Sequence, residues 1–249
     1  MRKFLLISVL VMISATQLRA GDGKYQILLM ANPTLEWVHF RSSASAPYLN
    51  DLWGRKLSYN AGFEYKRFVD PSLSFSVGLT YMNKGFRNKV PYQTSGGQSS
   101  IGYTVGDMHV LAVPLYMNIH QRIKRKVEMI YTIGVSGGYL FAERVRNKNY
   151  TAEDIPENSL LSGLDGSNVN LFNNYYISAD LGIGISTFVK SRVVLVLQPM
   201  FKYQVHNARD FGGQFVSSDP FTAHMNSFGV NIKMGYFFTK QIRNRRKDA

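Results

Sequence analysis

The sequence predicts an all-β chain: an eight-stranded antiparallel up-and-down transmembrane β-barrel with four long external loops and short periplasmic turns. Three observations carry this expectation. Apolar residues recur with period two in segment after segment. The segments run to about 12–17 residues, beyond the five or six usual in soluble strands and suited to a tilted membrane strand. Short and long connections alternate strictly along the chain, as periplasmic turns and external loops do in outer-membrane barrels.

Composition narrows the field first. The 249 residues are 45% hydrophobic and include 16 Phe and 15 Tyr, which excludes a disordered chain. With no cysteine there is no disulfide scaffold, thiolate metal site, catalytic thiol or lipidated cysteine anchor. The net charge of +13 raises nucleic acid as a partner, but the first residues argue against it. Met1-Arg2-Lys3 precedes the apolar run Phe4–Ile13 and a small-residue exit at Ala20-Gly21, the layout of a secretory signal peptide over 1–20. Its apolar run is too short to span a bilayer as a helix, which needs roughly 20 residues. An exported chain does not ordinarily meet nucleic acid, and losing Arg2, Lys3 and Arg19 still leaves 26 basic residues against 16 acidic. The domain reading is therefore a signal peptide over 1–20, a barrel over 21–239 and a basic periplasmic tail over 240–249.

The strands are expected, in order, at 26–40, 57–68, 72–83, 107–120, 127–142, 173–189, 192–206 and 224–239. In the first, Pro33 interrupts a blurred alternation. The second ends in the aromatics Tyr65 and Phe68. In the third, Leu73, Phe75, Val77, Leu79 and Tyr81 are interleaved with Ser and Gly. The fourth and fifth flank the basic link 122–126. In the sixth, Tyr175, Ile177, Ala179, Leu181, Ile183 and Ile185 alternate with residues such as Ser178, Asp180 and Gly182. The seventh sets Leu195, Leu197, Phe201 and Tyr203 against Gln198, Met200, Lys202 and Gln204. The eighth sets Phe228, Val230, Ile232, Met234 and Tyr236 against Ser227, Gly229, Asn231 and Lys233. Residues of one parity share one face of a strand. The links 69–71, 122–126 and 190–191 are short, whereas 41–56, 84–106, 143–172 and 207–223 are long and polar. Eight strands then place both termini on the short-turn side.

A soluble lipocalin-type barrel is the competing architecture. It turns its apolar face inward and needs a charged outer face, whereas the polar parity here is mostly Ser, Gly, Thr and Asn, which suit a narrow lumen. Tyr65, Phe68, Tyr81, Phe86, Tyr139, Phe141, Tyr236 and Phe238 lie towards segment ends, as girdle aromatics do.

Several strands resemble those of a known family. Asp107–Asn118 resembles the L-x-x-P-L strand of the PorT-like outer-membrane β-barrel family of Bacteroidetes, and Leu79–Gly85 its L-x-Y-x-x-K-G strand end. Ile133–Leu140 and Phe228–Phe237 are similar to its fifth and last strands. The resemblance spans roughly 57–239 and implies an eight-stranded barrel in the cell outer membrane. The family's namesake belongs to the type IX secretion machinery; the shared motifs are structural rather than catalytic.

No residue is assigned a catalytic, cofactor-binding or metal-binding role. His206 and His224 flank the last long loop with Asp210 and Asp219, but metalloprotease spacing is absent and they read as rim polar residues; His39 and His109 likewise suggest no site. His120 begins a basic turn and is expected to be solvated or near headgroups. Serines lack the G-x-S-x-G context of a nucleophile elbow. Gly182-Ile-Gly184 and Gly134–Gly138 precede no helix and read as lumen-facing glycines of a curving strand. Asp165–Asn170 faintly resembles a calcium loop but lacks its closing Glu. Glu64, Lys66, Glu128, Asp180, Arg192, Lys202 and Lys233 fall on inward parity and are expected to pair into a plug rather than line an ion path. Arg122, Lys124, Arg125, Lys126, Lys190 and Arg192, with Lys240, Arg243, Arg245, Arg246 and Lys247 of the tail, concentrate positive charge at the periplasmic end. Outer-membrane lipids are the expected partners, together with an unidentified extracellular ligand. A periplasmic envelope or secretion protein meeting the basic turns and tail is the alternative, and a narrow channel ranks below both.

Overall fold

The computed structural model describes residues 25–41, 53–93, 99–124, 126–148, 174–205 and 222–238. The expected signal peptide, the basic tail, His206, Asp210, Asp219 and the segment Asp165–Asn170 lie outside these residues. Eight long strands are present: β1 (Tyr25–Arg41), β2 (Lys56–Phe68), β3 (Leu73–Gln93), β4 (Ser99–Lys124), β5 (Val127–Lys148), β6 (Tyr175–Phe188), β7 (Val193–Gln204) and β8 (Thr222–Phe237). A two-residue strand, Trp53–Gly54, adds to β3 opposite Asn88 and Arg87. Each long strand pairs antiparallel with its sequence neighbours, and β1 pairs with β8 from Gln26↔Phe237 to Arg41↔Thr222. The sheet of the described residues is therefore a closed eight-stranded ring.

The wall is apolar outside and polar inside. On β8, Ser227, Asn231 and Lys233 are buried while Ile232 and Met234 are 52% and 55% exposed. The same reversal of a soluble protein holds around the ring: Leu29, Leu181 and Leu197 are all more than half exposed. An apolar belt of this extent is a lipid contact, and it excludes the lipocalin arrangement. Aromatic contacts mark both borders of the belt. Tyr59, Tyr81, His109 and Phe141 form a contact series at one end, and Tyr25–Tyr65 and Tyr236–Phe238 pairs lie at the other. Two residues expected in these girdles are not there: Phe68 and Phe86 fall on the inward parity of β2 and β3 and pack inside the barrel.

Pro33 does not end the first strand. It sits where the β1–β8 ladder skips Asn32 and Pro33, while the β1–β2 ladder runs through without a break. Pro114 and Pro199 repeat the device, interrupting the β3–β4 and β6–β7 ladders and leaving β4–β5 and β7–β8 continuous. Proline has one missing donor, so only one of its two ladders is affected.

Three strands outrun the expectation. The segment 84–106, read as a loop, is mostly the upper half of the β3–β4 hairpin, paired up to Gln93↔Ser99. β5 likewise extends to Lys148, into the expected loop 143–172. Period two persists there, with Lys84, Phe86 and Asn88 buried inside, but the outward positions are Arg87 and Lys89. Above the lipid the outer face turns polar, so the search for an apolar parity loses its signal while hydrogen bonding continues. At the base of this extension β5 carries a bulge: His109 pairs with Ala142 and Val110 with Leu140, leaving Phe141 as the extra residue.

The periplasmic turns are tight. In Asp70-Pro71-Ser72, the Asp70 carboxylate accepts hydrogen bonds from the Ser72 amide (2.6 Å), the Ser72 hydroxyl (2.7 Å) and the Leu73 amide (2.8 Å). The Ser72 hydroxyl and amide hold the Asp70 carboxyl below its ordinary range. The Lys190–Arg192 turn repeats the same backbone pattern, with Val193 N–H donating to Lys190 O at 3.3 Å.

Because the native chain has no cysteine, single cysteines placed along 228–236 and labelled with a fluorophore report parity directly. Acyl-chain nitroxides should quench the labels at 228, 230, 232 and 234 and spare 229, 231 and 233. Ile232→Lys should destabilise the barrel in lipid by about 2–4 kcal/mol if position 232 lies near the midplane. Uniform quenching along the strand would contradict the assigned faces.

Candidate functional site

The interior is the most organised polar feature of the molecule, and the strand parities build it in tiers. At the periplasmic end the floor is apolar. Phe68, Phe188 and Phe237 meet there, with ring centroids 5.7 Å apart for Phe68–Phe237 and 5.6 Å for Phe188–Phe237, over Leu28, Ile130, Val194 and Val196. His120 belongs to this floor and is not solvated: its ring lies 4.9 Å from that of Phe68, Nε2 is 2.8 Å from Ser74 Oγ, and Nδ1 is 3.7 Å from the Glu128 carboxylate. Even parity on β4 carries the imidazole inward one strand position before the outward face becomes the exposed basic turn.

Above the floor, Lys233 Nζ donates to Glu64 Oε2 at 2.6 Å, with Lys66 buried beside them. A neutral network follows. Gln198 Nε2 donates to Thr132 Oγ1 at 2.7 Å, Thr132 Oγ1 to Asn118 Oδ1 at 2.6 Å, and Asn118 Nδ2 to Ser76 Oγ at 3.1 Å. The next tier centres on Asp180, which is fully buried. Its Oδ2 accepts from Lys202 Nζ (2.8 Å), Tyr116 OH (2.9 Å) and Ser136 Oγ, and its Oδ1 from Ser178 Oγ (2.6 Å). The Tyr116 ring reaches this position because residue 134 is glycine: a Cβ there would stand 2.6 Å from Tyr116 Cδ1. Higher still, Lys84 Nζ donates to Glu36 Oε2 at 2.8 Å and lies 4.8 Å from the Tyr176 ring centre. Phe86 covers this level by lying across Gly106, whose Cβ would be 2.6 Å from Phe86 Cζ.

A buried charge persists when it is paired and its remaining bonding capacity is met. Asp180 meets that condition fully. Along β1–β3 and β8, by contrast, Asn32 Oδ1, Thr34 Oγ1, Ser58 Oγ, both polar ends of Asn60, and Thr80 Oγ1 have no protein partner. Buried groups of this kind are satisfied by internal water. The unpartnered groups thus concentrate on β1–β3 and β8, away from the Asp180 cluster.

Six of the seven charges expected in the lumen are there or at its mouth: Glu64, Lys66, Asp180, Lys202 and Lys233 are buried, and Glu128 sits at the floor. Arg192 is not. It stands in the β6–β7 turn with its guanidinium donating to Tyr236 OH at 3.1 Å on the outer face. The Glu36–Lys84 pair has no clear sequence signal, because β1 alternates weakly and Lys84 falls in a segment expected as a loop. Nor does the sequence signal an outward cluster in which Asp107 is held by Lys56 (2.7 Å) and Arg146, both expected in loops. His109 lies on the outer face, 2.6 Å from Tyr81 OH; His224 is buried at the rim, 3.0 Å from Gln204 O; and His39 is exposed. Among the described residues no group of three or more His, Cys, Asp or Glu is placed to hold a metal ion. Ser136, Lys202 and Asp180 have the residue types of a hydrolytic centre, yet all three are buried and Asp180 is bonded on both oxygens, so they act as a structural cross-brace.

No family model matches the chain, and no curated protein matches it. Solved structures with similar folds include Neisserial surface protein A, at 12% identity over 84% of this chain and 95% of that one, TM-score 0.46. The outer membrane protein OprG from Pseudomonas aeruginosa is 8% identical over 86% and 96%, TM-score 0.45. The outer membrane protease OmpT from Escherichia coli is 7% identical over 87% and 96%, TM-score 0.39.

Lys233→Met removes one member of the Glu64 pair and should lower unfolding free energy in lipid by about 3–5 kcal/mol. Lys190→Met, in an exposed turn, should stay within about 0.5 kcal/mol. Adding Glu64→Gln to Lys233→Met should restore part of the loss; urea titrations in the same vesicles compare all three.

Proposed function

We propose that the chain is a non-enzymatic outer-membrane β-barrel protein, with a closed interior that stabilises the wall and an external surface that carries binding. The observation behind this reading is the pairing of an apolar outer belt with a lumen occupied by ion pairs above an aromatic floor. A channel needs a continuous polar path, whereas Phe68, Phe188 and Phe237 obstruct one end and Phe86 and Met108 fill the other. The signal-peptide layout over 1–20 and the PorT-like strand motifs support export to the outer membrane. A second reading, an accessory role in a type IX-like secretion or envelope machine, is supported by exposed Arg122, Lys124, Lys126 and Lys190 at the periplasmic end.

Reconstituted in planar bilayers, the barrel should show no discrete single-channel steps. On gels it should run faster unheated than boiled. Protease added to intact cells should cut within 149–172 and spare the 122–126 turn. Ohmic steps from a heat-modifiable barrel would replace the structural reading with a pore, and cleavage at 122–126 from outside would invert the topology.

A further inference from the structure

The outer face of the β3–β5 extension carries a charge pattern that neither the barrel's closure nor its lumen requires. Cross-strand register aligns Gly85, Asp107 and Arg144 in one row, and Arg87, Val105 and Arg146 in the next. Lys89 pairs with Tyr103 in the row above. Lys56 reaches round from β2 to lie over Gly85, bonded to Asp107 and to Asn83 Oδ1 at 3.3 Å. Lys56, Arg87, Lys89, Arg144 and Arg146 therefore surround a single carboxylate, Asp107, on one outward surface among the described residues. Glu143, the nearest other described acid on these strands, pairs with Met108 on the opposite parity.

The bulge at Phe141 creates this surface. Below it the even positions of β5, Ser136, Gly138 and Leu140, point inward and are buried. Past the extra residue the parity reverses, so Arg144 and Arg146 face out and Glu143 turns in. Arg87 is steered onto the same face, its guanidinium 3.8 Å from the Tyr103 ring centre. The level is also defined. The patch begins one row above the Tyr59, Tyr81, His109 and Phe141 girdle, where the apolar belt ends. Cations that face outward from a membrane wall, directly above its aromatic border, stand among lipid headgroups rather than in open water.

We infer that this surface is a binding site for the phosphate groups of a phosphorylated glycolipid of the outer leaflet, with Arg87 and Arg144 as its exposed donors and the Lys56–Asp107–Arg146 cluster as their scaffold. Arginine suits phosphate because its planar fork donates two parallel hydrogen bonds. Asp107 spaces the cations and offsets their mutual repulsion without neutralising the patch. The acyl chains of such a lipid would lie against Leu111 and Tyr139, both exposed on the belt below. This inference rests on the membrane reading above.

Native mass spectrometry of the full barrel, with heat-modifiability as a check on folding, tests it. Bis-phosphorylated lipid A should bind more tightly than the same lipid with its phosphates removed. The double variant Arg87→Gln, Arg144→Gln should weaken the phosphorylated lipid by about tenfold to thirtyfold, taking each basic residue near a headgroup at about its usual contribution. Lys126→Gln with Lys190→Gln, at the opposite end, should leave it unchanged. A folded barrel that binds both lipids equally, or that loses affinity equally in both double variants, overturns the inference while leaving the barrel reading intact. A soluble sulfated polysaccharide that binds as tightly and displaces the lipid also overturns it, assigning the patch to an extracellular polyanion. A chain that is not heat-modifiable in lipid defeats the membrane reading itself.

Discussion

In hydrocarbon no water is available for an unpaired amide or carbonyl, so a strand-built wall holds only if its first and last strands meet. The β1–β8 ladder, running from Gln26↔Phe237 to Arg41↔Thr222, meets that requirement. Once it exists, every other property of the wall is constrained. Parity becomes global, because a one-residue slip at the seam would turn Ile232 into the lumen and Lys233 into lipid. The prolines become tolerable for the same reason. Each withholds one donor from one ladder, and the adjoining ladder keeps the strand in register.

Closure also sets a filling problem. Eight strands enclose a space about as wide as side chains can fill, and small side chains alone would leave voids. The chain solves it with long side chains that reach across: Lys233 to Glu64, Lys202 to Asp180 and Lys84 to Glu36. Rings cover the glycines between them, Tyr116 at Gly134 and Phe86 at Gly106. Charge inside and apolar surface outside are thus two consequences of one alternation.

The barrel, its strand count and its parity were legible in the sequence because lipid demands an apolar residue at every second position, a strong and repetitive signal. Glu64, Lys66, Asp180, Lys202 and Lys233 were legible for the same reason. The Asp180–Lys202 pair is legible too, since the two strands are neighbours, but Glu64 as the partner of Lys233 is not, because register across the 169 residues between them depends on closure rather than on local pattern. The extension above the membrane was illegible because Arg87 and Lys89 occupy the positions where an apolar residue would have signalled a strand. His120 and Phe68 are hard to place from the sequence because they stand at a border where one residue of parity separates the floor of the lumen from solvent.

The span of the Lys233–Glu64 contact has a consequence for assembly. β2 and β8 lie at opposite ends of the chain, so this pair forms late, when nearly all the intervening sequence is in place. Until then both side chains must keep their hydration, and an unclosed sheet therefore has to insert with a wet concave face. Pairing of these two side chains and joining of the seam become one step. A catalyst of its assembly therefore has to shelter a hydrated, half-curled sheet rather than ferry a finished cylinder.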